Sequence, residues 1–230
     1  MSDVIPWFAE FVAGTIVVIQ LFFVSLVLMI LWGLLASSAK LSGIRVLVAI
    51  GSLYTAIFRG MPSFLVVLIL YFGLAFTLTA IAQRFDPTIV FVDVPPFYAG
   101  ALAISLVVGA YTAETFRGAF LGVDRGVIEA ANALALSRMK VFFYIRLPLM
   151  WRLALPAFGT HMLSLLKDTA LISVIGVQEV LFTAQMATAY SNKPFTMFFA
   201  VAIIFLGLAT IIVGFVALVE RYAYRHLRTR

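Results

Sequence analysis

The chain has 230 residues, 64% of them hydrophobic and 11% charged, with a net charge of +6 and a mean hydropathy of +1.13. A soluble domain carries about 25% charged residues, so this composition excludes an ordinary water-soluble fold and places the chain in a lipid bilayer. The positive charge is a sum of membrane-flanking basic residues and points to no nucleic-acid partner. The absence of cysteine removes any disulfide, thiolate nucleophile or thiolate metal site.

The start, Met1-Ser2-Asp3, lacks a basic leader region, and the apolar run behind it is too long for a signal-peptide core. A helix needs about 20 residues to cross the hydrocarbon core. The 29 uncharged residues between Glu10 and Lys40 meet that need and predict a first span over about 11–36. Residues 41–58 hold Arg45 and Tyr54 and read as a helix lying at the cytoplasmic face or extending the next span. Arg59-Gly60-Met61-Pro62 marks a break, because proline disfavours helix in the residue before it and fits the first turn of a new one.

The second span follows at 63–82, then an irregular outer loop with Asp86-Pro87 and Pro95-Pro96, then a third span at 97–116. A fourth, 153–177, is interrupted by Lys167-Asp168. A second outer loop includes Ser191-Asn192-Lys193-Pro194, and the fifth span runs over 195–219. Trp7, Trp32 and Trp151 fall near span ends, where interfacial anchoring is the plain explanation. The expectation is an all-α integral membrane protein with five transmembrane helices in a single domain, 1–230.

Orientation follows from the basic residues. Lys40, Arg45 and Arg59 lie between spans one and two. Arg117, Arg125, Arg138, Lys140, Arg146 and Arg152 lie between spans three and four, and Arg221, Arg225, Arg228 and Arg230 form the tail. Against these stand only Arg84 and Lys193, so the N-terminus is expected outside and the C-terminus in the cytoplasm.

The long inner loop, about 120–150, has helical signals of its own. Asp124 fits an N-cap, and Ile128, Ala131 and Ala135 share a helical face where small residues allow close approach. Ser137 fits a second cap, followed by an apolar stripe of Met139, Phe142 and Phe143 that Pro148 ends or passes into span four. Such a stripe flanked by Arg138, Lys140 and Arg146 rests on the lipid interface or meets a partner.

Glu129-Ala130-Ala131, then Ile145, Leu147 and Pro148 resemble, in identity and spacing, the cytoplasmic loop of permease subunits of bacterial ABC importers, with Ala135 at a position where that loop has glycine. Other segments are similar to the polar amino-acid, histidine-type branch of that family. They are Arg59-Gly60-Met61-Pro62 with Tyr71-Phe72-Gly73, the run from Tyr111 to Ala119, and the run from Leu166 to Leu171 with Val174-Ile175-Gly176. The resemblance covers about residues 11–225 and implies the type I importer transmembrane fold in the bacterial inner membrane. It further implies a pair of ATP-binding subunits, a second permease copy or sister subunit, and a periplasmic solute-binding protein. ATP and Mg would be held by the ATPase, with no cofactor on this chain.

In that family the loop seats in a groove of the ATPase. Carried over, Glu129 makes a polar contact there, Ala130-Ala131 permit close packing, and Leu147-Pro148 tie the loop to span four. The family's glycine is replaced here by Ala135, which implies a right-handed turn or one shifted toward Ser137.

Lys167 and Asp168 each cost about 2.5–3.5 kcal/mol at a span centre, so neither should face lipid. Glu114 is a candidate partner for Lys167. Two readings stay open. One is a polar substrate path, with Asp168 or Glu114 meeting an ammonium and Lys167, Thr169 or Thr112 a carboxylate. The other is a structural ion pair between spans.

The sequence has no phosphate-binding loop for ATP, no nucleophile elbow, and two distant histidines, His161 and His226, that make no metal set. The leading expectation, which the resemblance implies, is a non-enzymatic permease for polar or basic amino acids or opine-like derivatives. The alternative is an ion-gradient-driven transporter using Glu114 and Asp168.

Overall fold

The computed structural model describes residues 4–225. Met1-Ser2-Asp3, His226, Arg228 and Arg230, on which parts of the leader, histidine and basic-tail readings rest, lie outside the described residues.

Nine α-helices are described: α1 (Phe8–Leu41), α2 (Arg45–Gly60), α3 (Ser63–Ala82), α4 (Pro96–Leu121), α5 (Arg125–Ala133), α6 (Arg138–Lys140), α7 (Leu147–Asp168), α8 (Val180–Ser191) and α9 (Pro194–Tyr224). Five stretches are long and apolar enough to cross a membrane: Ile5–Leu41, Ser63–Ala82, Pro96–Leu121, Arg138–Ile175 and Pro194–Tyr224. The expected five spans are present. Span two matches its expected bounds, spans one, three and five run several residues longer, and span four begins at Arg138, well before the expected 153, and ends at Ile175, short of 177.

Helix α4 is the axis of the bundle, packing against α1, α2, α3 and α7. Its small residues let neighbouring backbones approach closely. A Cβ added at Gly109 would lie 2.8 Å from Trp32 Cβ, and one at Gly100 would lie 2.4 Å from Ile172 Cγ2. Trp32 is thus clamped against α4 rather than acting as an interfacial anchor, and its indole N–H is buried without a hydrogen-bond partner among the described residues.

Two contacts between α1 and α4 fix their relative direction. The Ser25 hydroxyl donates to the Ala101 carbonyl at 3.4 Å, and Lys40 pairs with Glu114, so the helices run parallel. Helix α7 runs antiparallel to α4: Thr115 meets His161, and Gly100 meets Ile172. One end of the bundle therefore holds Lys40, the close of α4, the α5–α6 loop and the start of α7. The opposite end holds the start of α1, α8 and the start of α9.

Residues 41–58 were expected at the interface or as an extension of span two. They form the separate helix α2, packed on α1 and α4 and broken from α3 at Met61-Pro62. Span four changes helix type immediately after Lys167-Asp168. Helix α7 stops there, a 3-10 helix continues over Thr169–Ile175, and Gly176 ends it in the left-handed region at φ 89°.

Helix α8 lies where the sequence suggested only loop. Glu179 is its N-cap, fully buried, with its carboxylate accepting from the backbone N–H of Leu181 at 2.8 Å and of Phe182 at 2.9 Å. Burial pushes the Glu179 carboxyl up to about 7, and the two backbone hydrogen bonds oppose that rise.

Candidate functional site

Two polar regions stand out against this apolar frame. The first is the loop between α4 and α7. Asp124 caps α5 by accepting from Gly126 N–H at 2.6 Å, and Ser137 caps α6 by accepting from Lys140 N–H at 3.4 Å, as their positions in the sequence predict.

Between the caps, α5 closes in a Schellman arrangement. Leu136 N–H donates to Ala131 C=O at 3.4 Å, and Ala135 N–H to Asn132 C=O at 2.9 Å. The residue at the left-handed position is Ala135, with φ 56°. The expectation of a right-handed or shifted turn is therefore wrong. The two closing hydrogen bonds hold alanine in a conformation that costs about 1–2 kcal/mol for a residue with a Cβ.

Glu129 and Ala130 face outward on α5, whereas Ala131 is buried against the chain itself. Of the three, only the first two are thus accessible at the surface. Leu134, Met139, Phe143 and Tyr144 are exposed around them. The second helix of the loop is a single α-turn, α6, that passes into a π-helix over Val141–Arg146, where Leu147 N–H reaches back to Phe142 C=O. Ile145 and Leu147 are half-buried, and Pro148 sits in the first turn of α7, so the loop runs into span four without a break. The Arg146 guanidinium stacks on Phe120 of α4 at 3.7 Å from the ring centroid, a second tie between loop and bundle.

The second region is a polar face on α4 and α7 at membrane depth. Thr112 and Thr169 are fully buried and donate to their own helices, to Val108 C=O at 2.9 Å and Leu166 C=O at 2.6 Å. Neither opens onto a path. Glu114 does not meet Lys167. It pairs with Lys40 of α1 and, at 3.0 Å, with Arg117 one turn on, while Lys40 also donates to Thr55 of α2 at 2.9 Å. Glu114 thus fastens three helices.

Lys167 is exposed, with no partner among the described residues, and the half-buried Asp168 lies near Ser63 at the start of α3. Sequence reasoning missed a second polar group, formed by Arg59, Tyr111, Thr115 and His161. The guanidinium of Arg59 lies 5.3 Å from the Tyr111 ring centroid, and its carbonyl accepts from the Tyr111 hydroxyl at 3.1 Å. His161 hydrogen-bonds Thr115 at 2.8 Å, and its ring centroid lies 6.3 Å from that of Tyr111.

On α7, His161, Ser164 and Asp168 recur at helical spacing and face away from the core, as Tyr111 and Thr115 do on α4. The available signal was the i, i+4 and i, i+3, i+7 recurrence of polar residues inside apolar runs. The resulting face offers a guanidinium, an ammonium, a carboxylate and an imidazole, which suits a zwitterionic or charged small solute. Among the described residues no group of acidic and histidine side chains could hold a metal ion.

Comparison with known proteins adds the family context. Residues 29–223 match the family model for binding-protein-dependent transport system inner membrane components. The histidine/lysine/arginine/ornithine transport system permease protein HisQ of Salmonella typhimurium is 36% identical over 208 residues, 90% of each chain. The nopaline transport system permease protein NocQ of Agrobacterium fabrum is 33% identical over 224 residues, 97% of this chain and 95% of its own. A crystal structure of an amino acid ABC transporter with histidines superposes with a TM-score of 0.81 at 27% identity, covering 95% of this chain and 96% of that one. An inward-facing structure of the MetNI methionine ABC transporter, 17% identical, shares the fold with a TM-score of 0.71 over 95% of this chain and 98% of its own.

Proposed function

The chain belongs to the family of binding-protein-dependent transport system inner membrane components, and on that premise we propose that it is the permease of an ATP-driven importer of basic amino acids or opine-like derivatives. ATP hydrolysis is done by a separate ATPase, which in this reading carries the ATP and Mg. A periplasmic binding protein delivers the solute, and a second permease copy or a sister subunit completes the pathway. The membrane is the bacterial inner membrane, with the N-terminus outside and the loop end in the cytoplasm.

One observation carries the reading beyond family membership. Charged and polar side chains on α2, α4 and α7 face outward at membrane depth, where lipid cannot accept them and an aqueous path between two permease subunits can. Arg59 and Lys167 meet the solute carboxylate in that path, Asp168 meets an ammonium or guanidinium, and Tyr111 and His161 shape the wall. Glu129 and Ala130 dock on the ATPase. Because the loop continues through the π-helix into α7, movement at the docking site reaches Lys167 and Asp168 along one element.

The gradient-driven alternative loses its main relay residue here, since Glu114 is occupied by Lys40 and Arg117. Two variants test the proposal in proteoliposomes carrying the full importer. Glu129→Lys is expected to insert normally, lose ATPase recovery on pull-down and abolish uptake. Asp168→Asn is expected to keep the ATPase bound while uptake falls by about tenfold or more. Normal uptake by Glu129→Lys would remove the docking role, and uptake that follows an ion gradient and ignores ATP would replace the importer reading.

A further inference from the structure

At the end of the bundle opposite the loop, α1, α8 and the residues that lead into them line an open cavity of about 430 Å³ that the importer reading does not use. Its walls include Trp7, Glu10, Gln178, Thr183, Met186 and Tyr190. The Trp7 and Tyr190 rings lie 5.7 Å apart, inclined at 42°, forming two faces of an aromatic corner.

Glu10 stands one helical turn from Trp7 and is the only charged residue lining the cavity among those described. Its carboxylate has no ion pair or hydrogen bond to any described residue, and neither have the hydroxyls of Thr183 and Tyr190. A chain with net charge +6 thus has, at this end, a pocket whose single charge is negative.

The floor is rigid. Gly14 lets α1 approach α8 so closely that a Cβ there would lie 2.8 Å from the Val180 nitrogen, and the buried Glu179 fixes the first turn of α8. Phe182 and Thr183 are therefore presented by a capped helix and not by a loose loop.

Aromatic faces beside a carboxylate attract organic cations through the ring quadrupole and the charge together. We propose that this cavity binds an alkylammonium or guanidinium group at the outer end of the permease, held by Glu10 and the Trp7–Tyr190 corner. The group comes either from a basic solute on its way to the membrane face or from a Lys or Arg side chain of the docking binding protein. Its biological source rests on the importer reading, whereas the binding itself does not.

The permease–ATPase complex in phosphatidylglycerol nanodiscs, which carry no ammonium headgroup, provides the test. Binding of butylguanidinium is read by saturation-transfer NMR with neutral butylurea as control. Wild type is expected to show transfer to butylguanidinium and not to butylurea, and Glu10→Gln, a change at an exposed position, is expected to reduce it about fivefold or more. Equal transfer to both probes, no transfer, or transfer unchanged by Glu10→Gln overturns the site.

Two further measurements identify the source. A binding-protein Kd raised about tenfold in Glu10→Gln, with butylguanidinium competing, identifies a protein side chain. Unchanged docking with a raised KM for uptake identifies the solute. Where ATP-driven uptake is present, transfer with neither effect marks an adventitious additive only and overturns the proposal. ATP-driven uptake by wild type without butylguanidinium transfer removes the cavity alone, and transfer without ATP-driven uptake removes the importer reading and leaves the cavity.

Discussion

Ala135 shows what one methyl group costs at a turn. The Schellman closure of α5 demands φ near +60°, and the chain supplies alanine at φ 56°. Ala135→Gly removes the Cβ conflict and is expected to stabilise the closed turn by about 1 kcal/mol. Hydrogen exchange reads this directly: the Leu136 amide, which donates to Ala131, should exchange about five times more slowly in the variant. An unchanged rate would mean that the turn opens for reasons other than backbone strain. The position of the turn was legible from the neighbouring caps Asp124 and Ser137. Its handedness was not, because residue preference alone favours a right-handed alanine, and only the two closing hydrogen bonds reverse that.

Among the elements, α8 was hidden from the sequence for a related reason. The four spans bounded by charges announce themselves through uncharged runs, which lipid requires regardless of neighbours. Helix α8 is only 12 residues long and is stabilised by a partner distant in sequence, α1, which approaches it at Gly14. Its cap makes it sensitive to pH. The Glu179 carboxyl is pushed from an ordinary value of 4.5 up to about 7 by burial, so the fold holds a proton that the unfolded chain has already released. Stability should therefore fall as pH rises from about 4.5 to 7, and the cost should persist above that. For a chain of this size, each 1 kcal/mol is worth about 2–4 °C in Tm. Thermal unfolding of the nanodisc-embedded complex should show a wild-type Tm several degrees higher at pH 5.5 than at pH 8. Glu179→Gln should remove most of that difference, and a difference retained in the variant would place the titration elsewhere. A second comparison isolates the α1–α8 contact. Gly14→Ala should lower Tm because its Cβ meets backbone, whereas Gly73→Ala, which meets nothing within 4 Å, should leave it unchanged or raise it.

At the scale of the whole molecule, two sets of membrane-embedded charges do different work, and their partners separate them. Lys40, Glu114 and Arg117, with Thr55, join α1, α2 and α4 close to the loop end and so brace these three helices against one another as a frame. Lys167 and Asp168 stand at the change from α-helix to 3-10 helix, outside that frame, with Ser63 near Asp168. The sequence placed all five charges inside or beside spans. It could not assign partners, because Lys40 and Glu114 are 74 residues apart and their meeting depends on α1 and α4 running parallel. A relay carboxylate and a frame carboxylate differ in what replacement does. Glu114→Gln leaves Lys40, itself mostly buried, short of its counter-charge and should destabilise the complex by about 1–3 kcal/mol. Lys40→Met combined with Glu114→Leu removes both charges and should recover most of the lost Tm, since apolar replacement of a buried pair is often neutral. If Glu114 belongs only to the frame, the double variant transports at near wild-type rate once folded. If it relays protons or cations, the recovered Tm comes with no transport, because no carboxylate remains at that position to carry them.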